Sequence, residues 1–187
     1  MQNNDSETSK TIHQNDEPAQ GHKAGGWMLY LMWATLLGIV ALLMQSWLDR
    51  QHNPNRHIAI RTSSEGKPQV ILERNRYGHY VSLGRINGEE AVFFLDTGAT
   101  DVVIPAEIAD KYGLKRGIAY PVNTANGTVT VYATRLDLIE LGPLQLRDIR
   151  ASINPHMDGE EILLGMSFLK HLELTQRKDE LLIRIPD

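Results

Sequence analysis

An aspartate stands directly after three apolar residues in the stretch FFLDTGAT, residues 93–100. A buried carboxylate is costly unless it finds a hydrogen-bond partner or shifts its pKa. Gly98 lets the chain turn sharply and lets a second backbone approach, and Thr97 adds a hydroxyl. This pattern predicts that Asp96 is held rigidly at a loop tip by backbone N–H groups. The alternative is a structural Asx turn, in which the aspartate only bonds its own backbone.

The sequence offers little support for metal or thiol chemistry. The chain has no cysteine, which excludes disulfides, thiolate nucleophiles and cysteine-based metal sites. Its seven histidines are scattered without a metal-binding spacing, and the only other acid near the Asp96 turn is Asp101. We therefore expect no metal and no cofactor. The net charge of -4 argues against a nucleic-acid partner, because such proteins normally carry a basic face.

Short strands separated by turn signals surround the Asp96 turn and predict a mainly β domain over residues 69–187. A helix is predicted within PAEIADKYGL, with Pro105 at its first position and Gly113 at its stop. Three dipeptides predict hairpin turns between strands: Asn87-Gly88, Asn126-Gly127 and Gly142-Pro143. The expected fold is a small, closed, barrel-like sheet with one or two short helices.

The N-terminal part of the chain divides into three further zones. Residues 1–24 are polar and are predicted to be a disordered tail. Residues 25–48 carry no charge and form a helix of roughly 36 Å, which spans a hydrocarbon core of about 30 Å. We interpret this segment as a transmembrane anchor rather than a cleaved signal peptide, because the apolar run is too long for one. Residues 49–68 are predicted to be a polar linker, although HIAI within it could be a short strand.

Three parts of the sequence, taken in order, resemble the retropepsin-like aspartic proteases, and more closely their bacterial membrane-anchored branch. They are the stretch from RNRYGHY to FFLDTGATDVVIP, the hairpin NTANGTV, and ILLGMSFL. The resemblance covers about Arg74 to Ile185 and none of the N-terminal tail. It implies the single-domain acid protease fold, preceded here by one transmembrane helix.

The resemblance implies that two aspartates share one proton and hold a water that attacks a peptide bond. Only one Asp-Thr-Gly occurs in this chain, so the second catalytic Asp96 must come from the partner protomer of a homodimer. The resemblance assigns the support of the catalytic loop to five residues, which are Thr97, Gly98, Ala99, Leu164 and Gly165. It assigns the substrate-covering flap to Asn126, Gly127 and Thr128.

This chain departs from many viral relatives at two positions. Thr100 and Met166 stand where those relatives carry an acid and an arginine that pair with each other, so the loop must be braced in another way. Asp101 remains beside the loop, and we interpret it as an exposed, inert acid rather than a substrate contact.

Two functions fit these observations. The first is a membrane-anchored aspartic endopeptidase that acts on a protein or peptide substrate. The second is a catalytically silent binding or scaffolding module of the same fold. Lysines before the span and arginines after it weakly favour a cytoplasmic domain, whereas the resemblance implies a bacterial inner membrane with a periplasmic domain. We adopt the second orientation.

Overall fold

The computed structural model describes residues 25–63, 65–124 and 127–186, so the tail predicted for residues 1–24 lies outside the described residues. Contacts divide the chain into two compact units, Met1–Leu43 and Met44–Asp187. The three helices are α1 (Gly25–His52), α2 (Ala106–Lys111) and α3 (Met166–Leu169). The strands are β1 (Ala59–Thr62), β2 (Pro68–Glu73), β3 (Val81–Ile86), β4 (Glu89–Leu95), β5 (Val102–Pro105), β6 (Ala119–Thr124), β7 (Gly127–Leu141), β8 (Leu144–Asn154), β9 (Glu161–Leu164), β10 (Glu173–Arg177) and β11 (Glu180–Arg184).

Helix α1 contains the apolar segment that the sequence predicts as a membrane span. Its stretch Trp27–Leu48 has a mean hydropathy of 2.0, and its side chains are exposed rather than buried in protein. By length and composition this helix could cross a bilayer.

The folded part of the second unit consists of two sheets. The larger sheet has the strand order β3-β4-β9-β5-β8-β7-β6, and β3 also pairs with β7. That additional pairing joins the two ends of the run from β3 to β7, so these strands close into a ring, as the predicted barrel requires. The smaller sheet has the order β1-β2-β11-β10. Apolar side chains from both sheets and from α3 form one core, which includes Leu72, Phe93, Ile104, Leu136, Ile162, Phe168 and Ile183.

Most of the predicted turns are confirmed. Asn87 and Gly88 have φ values of 52° and 91°, as a type I′ turn requires. Gly113 follows the α2 cap with a φ of 65°, while Pro105 lies one position earlier than predicted, at the N-cap. In the second hairpin Gly127 pairs with Thr124, so Gly127 begins strand β7 rather than lying in the turn as predicted. Asn126 lies outside the described residues.

The segment predicted as a linker, residues 49–68, belongs in part to the folded unit. Strand β1 pairs with β2, and Asn53 and Asn55 are 7% and 3% exposed. Asn55 Oδ1 accepts a hydrogen bond from the Glu73 N–H at 2.6 Å, and its Nδ2 donates to the carbonyls of Glu73 at 2.9 Å and Val81 at 2.7 Å. The sequence pattern could not show this, because a buried asparagine looks like any loop asparagine until its backbone partners are known.

Asn55→Ala is expected to lower the free energy of unfolding by about 3 kcal/mol, because it leaves buried backbone groups of Glu73 and Val81 without partners. Gln145→Ala is the matched control, since the exposed Gln145 side chain bonds only the side chain of Glu140, and it should cost less than about 0.5 kcal/mol. Urea unfolding of the chain in detergent, followed by circular dichroism, measures both changes. Equal effects of the two substitutions would contradict the role given to Asn55.

Candidate active site

Three strands position the loop that carries Asp96. Strand β4 leads into the loop and runs parallel to β9, with Leu95 opposite Leu164. Strand β5 leaves the loop and pairs with β9 on its other side, with Val103 opposite Leu163. The loop of residues 96–101 therefore emerges where β9 lies between the two strands that flank it.

Asp96 is half-buried, and its loop is closed by hydrogen bonds to its own backbone. The Gly98 N–H donates to Asp96 Oδ1 at 2.9 Å, and the Ala99 N–H donates to the Asp96 carbonyl at 3.2 Å. The Asp96 N–H donates to the Leu164 carbonyl at 3.3 Å, which ties the loop to β9. The Asx turn considered from the sequence is thus present, and it orients the Asp96 carboxylate. Among the described residues no cation pairs with Asp96.

The start of α3 supports the other side of the loop. The Met166 N–H donates to the Ala99 carbonyl at 2.8 Å, and the Ser167 N–H donates to the Thr100 carbonyl at 2.9 Å. Gly165 lies so close beneath the loop that a Cβ there would stand 2.1 Å from the Asp101 carbonyl oxygen. Only glycine permits this approach, because real Cβ atoms do not come within 3 Å of a backbone oxygen. Leu164 is fully buried directly before it.

A cleft of about 430 Å³ opens beside the loop. The Asp96 loop contributes Asp96, Gly98, Ala99, Thr100 and Asp101, and the strands contribute Val103, Tyr120, Val122, Asn123, Thr124, Val131, Ser152, Asn154 and Leu163. Apolar side chains line the cleft together with polar side chains of several strands, which include Tyr120, Asn123, Ser152 and Asn154. A peptide could bury side chains against the apolar residues while its backbone bonds the polar groups.

The hairpin of β6 and β7, which the sequence predicts to be the flap, meets the cleft mainly through β6. Val122, Asn123 and Thr124 line the cleft, whereas Gly127 and Thr128 are exposed at the start of β7. The Thr128 hydroxyl donates to Asn123 Oδ1 at 2.8 Å, so Thr128 fixes a side chain that does line the cleft. The sequence prediction missed Asn123, because its position on the cleft face depends on the register of β6 against β7.

Asp101 is not the exposed, inert acid that the sequence predicted. Its side chain is only 14% exposed, and Arg150 Nε donates to Asp101 Oδ1 at 2.7 Å. The Tyr120 hydroxyl donates to Asp101 Oδ2 at 3.4 Å, and burial, followed by the charge of Asp101, raises the pKa of Tyr120. The hydrogen bond to Asp101 also raises the pKa of Arg150. These contacts brace the loop against β6 and β8, in place of the ion pair that Thr100 and Met166 cannot form.

No group of three or more histidine, aspartate or glutamate side chains that could hold a metal is found in residues 25–63, 65–124 and 127–186.

Comparison with known proteins agrees with this fold. A family model described as "gag-polyprotein putative aspartyl protease" matches residues 83–171. The crystal structure of a retropepsin-like aspartic protease from Rickettsia conorii is similar, with a TM-score of 0.51 and 25% identity, covering 68% of this chain and 94% of that chain. An uncharacterized protein in the cobV 5′ region of Sinorhizobium sp is 36% identical over 127 residues, which are 66% of this chain and 54% of that protein.

The chain thus spans about half the length of that curated relative. The matched residues contain the whole Asp96 loop, its support by β9 and α3, and the flap. The chain therefore has the fold of the retropepsin-like aspartic proteases, and its residues 83–171 are similar in sequence to an aspartyl protease family.

Arg150→Gln is expected to lower the free energy of unfolding by about 1 kcal/mol, because it leaves the poorly exposed Asp101 carboxylate without its cation. Arg135→Gln is the matched control, since Arg135 faces Arg150 in the β7–β8 register but pairs with the exposed Asp148. We expect the control to change stability by less than about 0.5 kcal/mol. Urea unfolding monitored by circular dichroism tests both, and a larger effect at Arg135 would refute the bracing role of Arg150.

Proposed function

We propose that this chain is a membrane-anchored aspartic endopeptidase that works as a homodimer. In this proposal two Asp96 carboxylates, one from each protomer, activate the water that hydrolyses a peptide bond. The substrate is a protein or peptide bound in the cleft, and no metal or cofactor takes part.

The pairing of Asp101 is the observation that carries this proposal. Two carboxylates line the cleft, and Asp101 is already neutralised by Arg150 and bonded by Tyr120. Asp101 is therefore a poor partner for sharing a proton with Asp96. The chain has no second Asp-Thr-Gly to supply one, so a twin Asp96 from another copy is the remaining source. A two-fold axis beside the loop would bring the two identical carboxylates together.

The chemistry follows from placing two carboxyl groups side by side. Two like charges at about 3 Å cannot both ionise, and aspartic proteases are the standard example of a pair that shares one proton. The ionised Asp96 takes a proton from the water as its oxygen bonds to the carbonyl carbon of the substrate. The protonated Asp96 donates its proton to the carbonyl oxygen. When the resulting diol collapses and the C–N bond breaks, the Asp96 that took the water proton gives it to the leaving amine. One hydroxyl of the diol returns its proton to the other Asp96, which restores the single shared proton.

The neighbouring residues take supporting roles in this proposal. Gly98 donates its N–H to Asp96 Oδ1 and holds one carboxylate oxygen in place. The Ala99 carbonyl accepts the hydrogen bond from the Met166 N–H. Thr97 is exposed, and in this proposal its hydroxyl bonds across the dimer. Gly165 allows the close approach that fixes the loop. In the flap, Asn126, Gly127 and Thr128 would close over the substrate.

The apolar part of α1 supports anchoring by residues 25–48 in a membrane, which we propose to be a bacterial inner membrane with the protease domain on the periplasmic side. Because the chain has no cysteine, a single cysteine introduced into the domain can report this orientation. Labelling by an impermeant maleimide in intact spheroplasts is expected. Labelling only after lysis would place the domain in the cytoplasm instead.

Asp96→Asn is expected to reduce peptide cleavage by at least about 10²–10⁴-fold while leaving the fold unchanged, because an amide cannot take part in the proton exchange. Cleavage of a peptide library by the purified chain, read by mass spectrometry, measures the loss. Asp137→Asn is the control, since it removes an exposed aspartate of β7 that does not line the cleft. Unchanged cleavage in Asp96→Asn would contradict the mechanism, and no cleavage by the unsubstituted chain would favour the silent binding module.

Mixing the unsubstituted chain with an equal amount of Asp96→Asn tests the homodimer. If subunits exchange and pair at random, only about a quarter of the dimers keep both carboxylates, so total activity should fall to about half that of the active chain by itself. A mixture with Asp137→Asn should show no such loss. Activity that is simply additive after full subunit exchange would show that each chain works alone.

A further inference from the structure

The segment that follows the apolar span enters the folded unit almost at once. The span ends at Leu48, and Asn53 is already buried, at 7% exposure. Only residues 49–52 lie between them, so even a fully extended chain covers at most about 18 Å over this distance. A flexible tether would need many more residues to give the domain free reach.

Contacts on several elements hold this segment. Besides the three hydrogen bonds of the Asn55 amide, the Asn55 N–H donates to Asn53 Oδ1 at 3.0 Å. Asn75 Nδ2 donates to the His52 carbonyl at 3.0 Å, and an isolated bridge joins Asn55 to Ser82 of β3. Pulling such a buried amide out of the fold is costly, because it breaks several hydrogen bonds and leaves buried backbone groups without partners.

Two further contacts extend the attachment to the end of α1. His52 Nε2 lies 2.5 Å from Glu161 Oε1, and Arg76 donates to Gln51 Oε1 at 2.7 Å. Glu161 is the first residue of β9, the strand whose other end, Leu164, bonds Asp96. The segment is thus fixed to the same strand that supports the catalytic loop.

We propose that residues 51–55 form a rigid stalk that holds the cleft at a short, fixed height above the bilayer, so that the substrates are membrane-proximal segments of other membrane proteins. The proposal rests on the endopeptidase function and on the anchor proposed above. A unit of about 140 residues has a radius of gyration of about 14 Å and so a diameter of about 37 Å. With the connection of at most about 18 Å, the cleft stays within about 55 Å of the end of the span.

Confinement of this kind selects substrates by position as well as by sequence. A peptide segment in the same membrane and at the same height meets the cleft at a high effective concentration. A segment held far above the bilayer cannot reach the cleft, whatever its sequence. A soluble protein competes only by diffusion.

The test uses the full chain in proteoliposomes together with two single-pass reporter proteins. Both reporters carry one decapeptide that the detergent-solubilised chain cleaves. In the first reporter it lies about 10 residues from the span, and in the second it follows a helical spacer of about 60 residues, or about 90 Å. We expect the near reporter to be cut at least about tenfold faster. A 20-residue Gly-Ser insertion between residues 49 and 50 should reduce this ratio several-fold.

The same Gly-Ser segment inserted between Lys178 and Asp179, in the exposed turn from β10 to β11, is the matched control and should leave the ratio unchanged. Asn55→Ala is a second variant, expected to lower the ratio without added length. Equal cutting of the two reporters by the unsubstituted chain would overturn the proposal, and so would a ratio that the insertion after residue 49 leaves unchanged.

A measurement independent of activity separates this inference from the proposed function. In the Asp96→Asn background, a fluorophore on a single cysteine replacing the exposed Tyr77 reports its height by energy transfer to acceptor lipids. We expect efficient energy transfer in the chain without the insertion and weaker transfer in the chain with the insertion after residue 49. Equal transfer in the two chains would contradict the proposed rigid stalk. If the detergent-solubilised chain cleaves no peptide, the proposed function fails, and energy transfer then decides the stalk by itself. If the solubilised chain cleaves the decapeptide but neither reporter is cut in proteoliposomes, the proposed function stands and the substrate class is wrong.

Discussion

The close approach of Gly165 to the loop of residues 96–101 is the contact on which the rest of the site depends. With no Cβ in the way, the backbone after β9 lies directly under the Asp101 carbonyl, and the first N–H groups of α3 reach the carbonyls of Ala99 and Thr100. The loop therefore needs no ligand to keep its shape. A carboxylate that transfers protons needs a fixed orientation before the reaction begins. If the loop had to rearrange during the reaction, the activation free energy would rise.

The two carboxylates that line the cleft, Asp96 and Asp101, differ in their bonding partners. Asp101 is occupied by Arg150 and Tyr120 and serves the structure, whereas Asp96 keeps only a bond from its own loop. This division leaves one acid per chain for chemistry and makes the proposed site incomplete without a second copy. If two copies inserted in one bilayer in the same direction form a symmetric dimer, its two-fold axis runs along the membrane normal. A short stalk on each copy would then set both Asp96 loops at the same height.

Local features were predictable from the sequence, and long-range features were not. The turn at Asn87-Gly88 and the stop at Gly113 follow from backbone conformations that few other residues adopt, so they were readable without any tertiary information. Asn55 and Asp101 looked like ordinary polar loop residues. Their partners lie 18 to 49 positions away, at Glu73 and Arg150, and no pattern within a window of sequence records such pairs.

By itself the sequence determined the mainly β class, the apolar span and the placement of Asp96 at the end of a buried strand, since each depends on residue type and local spacing. The tertiary structure decided which acid stays free, which strand of the flap lines the cleft, and that residues 51–55 belong to the folded unit. The physical reason is that each of these depends on which distant groups satisfy a buried or partly buried polar atom. The register of the strands and the closure of the sheet decide which partner each polar atom meets. The residues next to the polar residue in the sequence do not specify either one.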